Sequence, residues 1–109
     1  APLGLAVTSG DYGGVGVGGL ATTAGFGWFA RERGLTIDYL RSVDIVTADG
    51  ALVHASADEN SDLFWAVRGA GANFGAVVSF EFEAHPVAAQ VGFAMLVFTP
   101  DDVADFLQA

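Results

Sequence analysis

The feature that most constrains this chain is a glycine-dense run, GGVGVGGLATTAGFGW at residues 13–28, which holds seven of the 15 glycines. Glycine has no Cβ, so such a run lets the backbone approach another surface closely, whereas each glycine inside a helix costs roughly 1 kcal/mol relative to alanine. Two interpretations of the run are open. It is either a tight loop packed under a neighbouring strand, or a bare surface of backbone amides and Cα atoms that lines a flat or anionic ligand.

The composition narrows the class of protein. A chain of 109 residues with 52% hydrophobic content can fill one modest core. The formal charge is -9 and lysine is absent, so no basic stripe is available to neutralise nucleic-acid phosphates. No apolar stretch reaches the roughly 18 to 20 residues of a membrane span. We therefore expect no nucleic-acid or membrane partner. The lack of cysteine removes disulfides and thiolate ligands but leaves the compartment open, with the cytoplasm favoured over secretion.

The first third of the chain predicts short elements. Residues 3–8 form an apolar run that suits a short strand. One or two helical turns are expected over 24–33, where basic residues suit a helix C-terminus and Gly34 supplies the C-cap. Gly25 and Gly27 inside that predicted helix would lower its stability unless another part of the protein packs against them.

A hairpin and a helix are predicted in the middle of the chain. VDIVTADGALVHAS predicts an antiparallel hairpin over 42–55, because the dipeptide Asp49-Gly50 supplies the positive φ angles of a type I′ turn. A short helix is predicted at about 59–67, with Ser56 and Glu59 as a capping box or the following Asn-Ser pair as alternative caps.

The last third begins with a second glycine-rich loop, RGAGANFG at 68–75. In the segment that follows, Val78, Phe80 and Phe82 alternate with polar residues, which predicts a half-buried strand that ends by Pro86. VGFAMLVF at 91–98 predicts a further strand. The sequence TPDD then predicts a helix start, and the chain stops about two turns into that helix, so we expect a segment of a longer protein.

One short motif suggests a different fold. Gly14, Gly16 and Gly19 satisfy the pattern G-x-G-x-x-G, and Asp38 follows where a dinucleotide fold places its ribose-binding acid. However, turn formers precede the motif instead of a buried strand, and the next element is an antiparallel hairpin instead of a second parallel unit. A nicotinamide-dependent Rossmann oxidoreductase is therefore the alternative, together with a cofactor-free, glycine-rich binding or structural domain.

The other chemistry-bearing residues favour structural roles. His54 in the hairpin and His85 near a strand end have no second ligand at metal-binding spacing, so no metal site is predicted. No serine lies in a G-x-S-x-G context, so a hydrolase is not expected. Trp28, Phe64 and Trp65 are expected to be core aromatics, with Trp28 open to a second role beside a ligand.

The order and spacing of several motifs resemble one known family. GVGVGGLATTAGFGWFARERGLTIDYLRSVDIVTADG and the later ASADENSDLFWAVRGAGANFGAVVSFEFEAHPV resemble the second half of the FAD-binding domain of berberine-bridge-enzyme-like flavoprotein oxidases, in the vanillyl-alcohol oxidase superfamily. The likeness runs over about residues 10–87. It implies an α+β fold with a mixed or antiparallel sheet and short helices. Residues 1–87 would be the C-terminal part of a PCMH-type FAD-binding domain, and residues 88–109 the start of a substrate domain.

The resemblance also implies FAD as the cofactor and names the residues that would hold it. In the family, the first glycine run lies against the isoalloxazine and ribityl of FAD, and the second loop with its strand contacts the adenosine side. A bare backbone suits a flat ring, and backbone amides can hold its polar edge without a charged side chain. The cofactor-binding residues implied are Gly16, Val17, Gly18, Gly19, Leu20, Thr22, Gly25, Phe26 and Gly27 in the first run, and Ala72 and Val77 in the second region.

The activity implied is oxidation of a small organic substrate by hydride transfer to the flavin, which molecular oxygen then reoxidises. No catalytic residue is assigned, because the family's catalytic base lies outside this sequence. The segment alone is expected to be inactive, and its partners would be the rest of the parent chain and a small-molecule substrate. Tyr12 stands where bicovalent members carry a flavin-linked cysteine, so a cysteinyl bond from this chain is excluded.

Overall fold

The computed structural model describes residues 3–88 together with residues 92, 94, 95 and 97. Its strands are β1 (Leu5–Ala6), β2 (Leu40–Val46), β3 (Leu52–Ser56), β4 (Ala76–Phe82) and β5 (His85–Pro86). Its α-helices are α1 (Val17–Thr23), α2 (Ala30–Arg33) and α3 (Ser61–Ala70), and 3₁₀ turns cover Thr36–Tyr39 and Gly71–Asn73. β2 lies between β3 and β4 in an antiparallel sheet, and β1 pairs with β5 in a separate antiparallel ribbon. The predicted α+β class is confirmed.

The β2–β3 hairpin forms as predicted, with Val46 opposite Leu52 next to the turn. The turn itself differs from the prediction. The Gly50 N–H donates to the Thr47 carbonyl oxygen at 2.9 Å, and Gly50 alone in the turn has a positive φ, 83°. A type I′ turn needs positive φ at both central residues, so the predicted turn type is wrong, although the hairpin that it was meant to close is correct.

Strand β4 pairs with β2 but does not keep a strict alternation. The register slips at Val78, which has no partner between the pairs formed by Val77 and Ser79. This β-bulge turns Val77 toward the core and leaves Val78 62% exposed. The two phenylalanines of β4 pack against the core as predicted. The prediction for Val78 is wrong because one unpaired residue reverses the alternation that precedes it.

Residues 17–33 hold two short helices separated by an irregular segment. α1 lies inside the glycine run, where no helix was predicted, and residues 24–29 are not in a regular helix. Gly25 has a left-handed φ of 79° and packs against Thr36, which breaks the helix at that point. The helix predicted over 24–33 is therefore wrong except for its last turn, α2, where Gly34 with φ 89° ends the helix as predicted.

Helix α3 is confirmed but begins at Ser61, two residues later than predicted. The Ser56 hydroxyl accepts the N–H groups of Asp58 and Glu59 at 3.3 and 3.1 Å, so it closes a turn ahead of the helix instead of capping it. Asn60 occupies the N-cap position, in the left-handed conformation with φ 48°.

The core lies where α3 packs on β2 and β3. Phe64 is 4% exposed, as predicted, whereas Trp28 and Trp65 are 69% and 74% exposed, so the prediction that these tryptophans are core residues is wrong. Successive residues of a helix point about 100° apart, so Phe64 and Trp65 cannot share the buried face. The buried cluster consists of Leu40, Val43, Ile45, Ala55, Phe64 and Val67.

Two predictions fall on the end of the chain. The helix start at Thr99 lies outside the described residues, as do four of the eight residues of the strand predicted over 91–98; the other four have no regular secondary structure. Within the part of the chain that the structure describes, no helix has the length and apolar character needed to cross a membrane.

Candidate cofactor-binding site

A cleft of about 240 Å³ opens between α1, the second glycine loop and β4, and we call it the α1 cleft. It brings together five predicted cofactor-binding residues from two regions that are distant in the sequence. None of its lining side chains is ionisable, so polar contacts to a ligand would come from the backbone and from one hydroxyl. The lining residues are Gly18, Gly19, Thr22, Gly71, Ala72, Gly75, Val77 and Phe80.

Two glycines of the second loop are required by packing within this chain. A Cβ on Gly71 would lie 2.7 Å from the Thr22 side chain, and a Cβ on Gly75 would overlap the carbonyl oxygen of Val46. Gly75 also has a φ of 152°, which residues with a side chain rarely adopt. These two glycines let the loop close onto α1 and β2, and that closure forms one wall of the cleft.

The glycines of α1 are not explained by packing in the described residues. A Cβ on Gly19 would meet no atom within 4 Å, and a Cβ on Gly18 would make only ordinary contact with the Phe80 ring at 3.5 Å. Alanine at either position would be expected to favour the helix by up to roughly 1 kcal/mol. The glycines instead leave bare backbone beside the apolar side chains of Val77 and Phe80. The residues present therefore fit a flat aromatic ligand such as the FAD ring system.

Two other predicted cofactor-binding residues line a separate cavity of about 210 Å³, which we call the Trp28 cavity. Phe26 in this cavity is 77% exposed, whereas Gly27 is buried. A Cβ on Gly27 would overlap the carbonyl oxygen of Ser9, so packing alone requires glycine there. The lining residues are Asp11, Phe26, Gly27, Trp28 and Arg31.

The remaining four predicted residues line neither of these cavities. Gly16 is the N-cap residue of α1, Val17 is its first residue and is 53% exposed, and Leu20 is half-buried. Gly25 is buried, and a Cβ there would overlap the Thr36 side chain, so its glycine is explained by packing.

Three lining residues of the α1 cleft were not predicted: Gly71, Gly75 and Phe80. The second glycine loop was the available signal for the two glycines, because glycines beside predicted cofactor contacts indicate a close approach of the backbone. Phe80 carried no such signal, since an alternating strand predicts only that its ring faces inward.

The histidines lie outside both cavities. His54 Nδ1 is 2.7 Å from Asp44 Oδ1 across the hairpin, and this hydrogen bond raises the pKa of His54. The His85 ring packs edge-on against Tyr39, with ring centroids 5.0 Å apart. Among the described residues, no group of three His, Cys, Asp or Glu side chains could hold a metal ion.

The antiparallel sheet with short helices distinguishes this fold from the parallel dinucleotide-binding fold, and the glycine-lined cleft offers bare backbone to a ligand. The family model for the FAD binding domain matches residues 2–56, about half of the chain. The chain belongs to this family of FAD-binding domains, and FAD is its cofactor. The Rossmann alternative is wrong, because β2, β3 and β4 are antiparallel.

Comparison with individual proteins confirms the predicted resemblance to flavoprotein oxidases. The chain is 53% identical over 78 residues to the xylooligosaccharide oxidase of Thermothelomyces thermophilus, which covers 72% of this chain and 16% of that protein. The structure of 6-hydroxy-D-nicotine oxidase from Arthrobacter nicotinovorans matches with a TM-score of 0.76 and 41% identity, covering 78% of this chain and 19% of that one. Glucooligosaccharide oxidase from Acremonium strictum, which carries a 6-S-cysteinyl, 8α-N1-histidyl FAD, matches with a TM-score of 0.74 and 42% identity, over 76% and 18%. The chain thus spans less than a fifth of the length of these relatives.

Proposed function

We propose that this chain is part of an FAD-dependent oxidase that acts on a small organic substrate such as a carbohydrate, and that the α1 cleft holds FAD. The observation that carries the proposal is the exposed glycine surface of α1, which packing in the described chain does not explain, in a member of an FAD-binding family. When bound, FAD would accept a hydride from the substrate and would then be reoxidised by molecular oxygen.

In this proposal the residues of the chain bind and position the cofactor. The backbone of Gly18 and Gly19 would contact FAD at van der Waals distance. Val77 and Phe80 would make apolar contact with FAD and exclude water from that side of the cleft. The cleft contains no ionisable side chain, so we assign no proton transfer to it. We call the residues that would face FAD the cofactor wall. Besides the four residues just named, it would include Thr22 and Ala72 in the cleft, and would continue over Gly16, Val17, Leu20, Gly25, Phe26 and Gly27.

The proposal is tested by the FAD content of the full-length protein and its variants. The purified wild type should be yellow with a bound flavin spectrum. Gly19→Val should weaken FAD binding at least about tenfold, because the new side chain would occupy the space where the ring is expected to lie. The dissociation constant is measured by titrating apoprotein with FAD and following flavin fluorescence; if the native flavin is covalently attached, flavin content after expression replaces this titration.

Thr23→Val is the matched control, since Thr23 lies on the same helix, is exposed and does not line the cleft. FAD binding by this variant should equal that of the wild type. Equal FAD binding by Gly19→Val and Thr23→Val would contradict the assignment of the α1 cleft. A wild-type protein without flavin would contradict the proposed function itself.

A further inference from the structure

The Trp28 cavity presents two aromatic side chains on a fixed backbone. Trp28 and Phe26 are 69% and 77% exposed and flank Gly27 in the sequence. Gly27 packs so closely on the Ser9 carbonyl group that no side chain could be added there. The backbone that carries the two aromatic residues is therefore held in place before any ligand arrives, which reduces the backbone entropy lost on binding.

Two charged groups complete this cavity. Asp11 and Arg31 both line it, and both are exposed. Neither forms an ion pair within the described residues, where the three pairs are Arg33 with Glu32, Arg41 with Glu83 and His54 with Asp44. The carboxylate can therefore accept hydrogen bonds from a ligand, and the guanidinium can donate them.

A sugar ring matches this combination of groups. The C–H face of a pyranose packs on an aromatic ring, while the hydroxyl groups around its edge both donate and accept hydrogen bonds. The Asp11 carboxylate offsets the charge of the Arg31 guanidinium in the lining, so the cavity offers no net positive charge to an anionic ligand. We propose that the Trp28 cavity is a binding subsite for one sugar ring of an uncharged oligosaccharide.

This inference rests on the proposed function and extends it to the substrate class. A substrate that gives a hydride to the flavin must lie against it, so its binding site must border the cofactor wall. The Trp28 cavity does so in this proposal, because Phe26 and Gly27 belong both to that wall and to the cavity lining. The similarity to two oligosaccharide oxidases, from Thermothelomyces thermophilus and Acremonium strictum, supports a carbohydrate in preference to other uncharged ligands.

The test is the affinity of the full-length protein for xylobiose and cellobiose, measured by calorimetric titration without oxygen after the flavin has been reduced with dithionite. Reduced flavin cannot accept a hydride, so binding is observed without turnover. Trp28→Ala should raise the dissociation constant of the better-bound disaccharide about tenfold, with the flavin content unchanged. Trp28→Phe, which keeps an aromatic ring, should restore most of the affinity.

Trp65→Ala is the matched control, because Trp65 is an equally exposed tryptophan that lies outside this cavity. Its disaccharide affinity should equal that of the wild type. The inference is overturned if Trp28→Ala and Trp65→Ala bind the disaccharides alike, or if the flavin-loaded wild type binds neither sugar. Both results would leave the flavoprotein assignment standing, whereas a wild type without flavin would contradict the proposed function as well.

Discussion

The physical reason for a glycine differs from one position of this chain to another. Gly27 and Gly75 are required because another backbone carbonyl occupies the space of a side chain, and Gly75 also has a left-handed φ. Gly19 has open space around it, so packing in the described residues does not require glycine there, and we propose that its bare backbone contacts FAD. The sequence does not distinguish glycines that packing requires from those that it does not, because all three lie in similar glycine-rich runs.

The neighbouring valines of β4 provide a prediction at the same scale. Val77→Ala should lower the free energy of unfolding by about 1 to 2 kcal/mol, because Val77 packs against the core. Val78→Ala should change it by less than about 0.5 kcal/mol, because Val78 is exposed at the bulge. Both values are measured by denaturant unfolding. A larger loss for Val78→Ala would mean that the strand keeps a strict alternation without a bulge.

The secondary-structure elements differ in how much of their stability comes from local interactions. The β2–β3 hairpin is closed locally by its turn, where the Asp49 carboxylate accepts the Thr47 hydroxyl and the Ala51 N–H. Helix α1 has only seven residues, two of them glycine, which is too short for stability in water by itself. It depends on packing against α3 and the Thr36–Tyr39 turn. The part of the proposed cofactor wall that lies on α1 is therefore held by tertiary contacts.

The hairpin gives a prediction about pH. The hydrogen bond that the Asp44 carboxylate accepts from His54 is the main cause of the raised pKa of His54, and Glu59 and Glu81 add weaker Coulomb attraction. Asp44→Asn should therefore lower the pKa of His54 toward its ordinary value of 6.5, as measured by NMR titration of the imidazole signals. Asp62→Asn is the control, because Asp62 does not contribute to the pKa of His54.

The same pair makes stability depend on pH. Because the pKa of His54 is raised in the folded state, its contribution to the free energy of unfolding is fully present below the unfolded-state pKa. The contribution is lost as pH rises through the folded-state pKa. The stability advantage of the wild type over Asp44→Asn should thus be larger at about pH 5 than at about pH 8. An unchanged His54 pKa in Asp44→Asn would contradict the role of this hydrogen bond.

At the scale of the whole molecule, several large apolar side chains of the described residues are exposed. Outside the two cavities, Leu3, Leu52, Trp65 and Val78 are each more than 60% exposed. Where such groups form one contiguous patch, they mark a surface that contacts a partner or a ligand. Since the chain spans less than a fifth of its relatives, we infer that parts of the full-length protein cover much of this surface.

This inference predicts a difference between the isolated chain and the full-length protein. The 109-residue chain should enhance the fluorescence of an apolar dye such as ANS more strongly, per molecule, than the full-length protein does. It should also unfold at a lower denaturant concentration, because fewer of its apolar groups are buried. Equal dye fluorescence from the two proteins would show that the apolar surface remains exposed at full length.

The sequence by itself determined the parts of this protein that depend on local interactions and on motif order. The hairpin was predictable because one dipeptide breaks the strand run between β2 and β3, and α3 was predictable from its apolar cluster and flanking polar residues. The order and spacing of several independent motifs, glycine-rich and otherwise, were sufficient to identify the flavoprotein family. Five residues of the α1 cleft were assigned through that resemblance, without knowledge of how the two glycine regions meet.

Only the tertiary structure decided which residues face each other. The bulge at Val78, the exposure of Trp28 and Trp65, and the placement of seven predicted cofactor residues in two separate cavities all depend on contacts between distant segments. Local torsions and hydrogen bonds are encoded by neighbouring residues, so a sequence pattern reveals them. The space beside a glycine is set by residues far away in the chain, such as Val46 beside Gly75, so only the folded structure shows whether that glycine serves packing or a ligand.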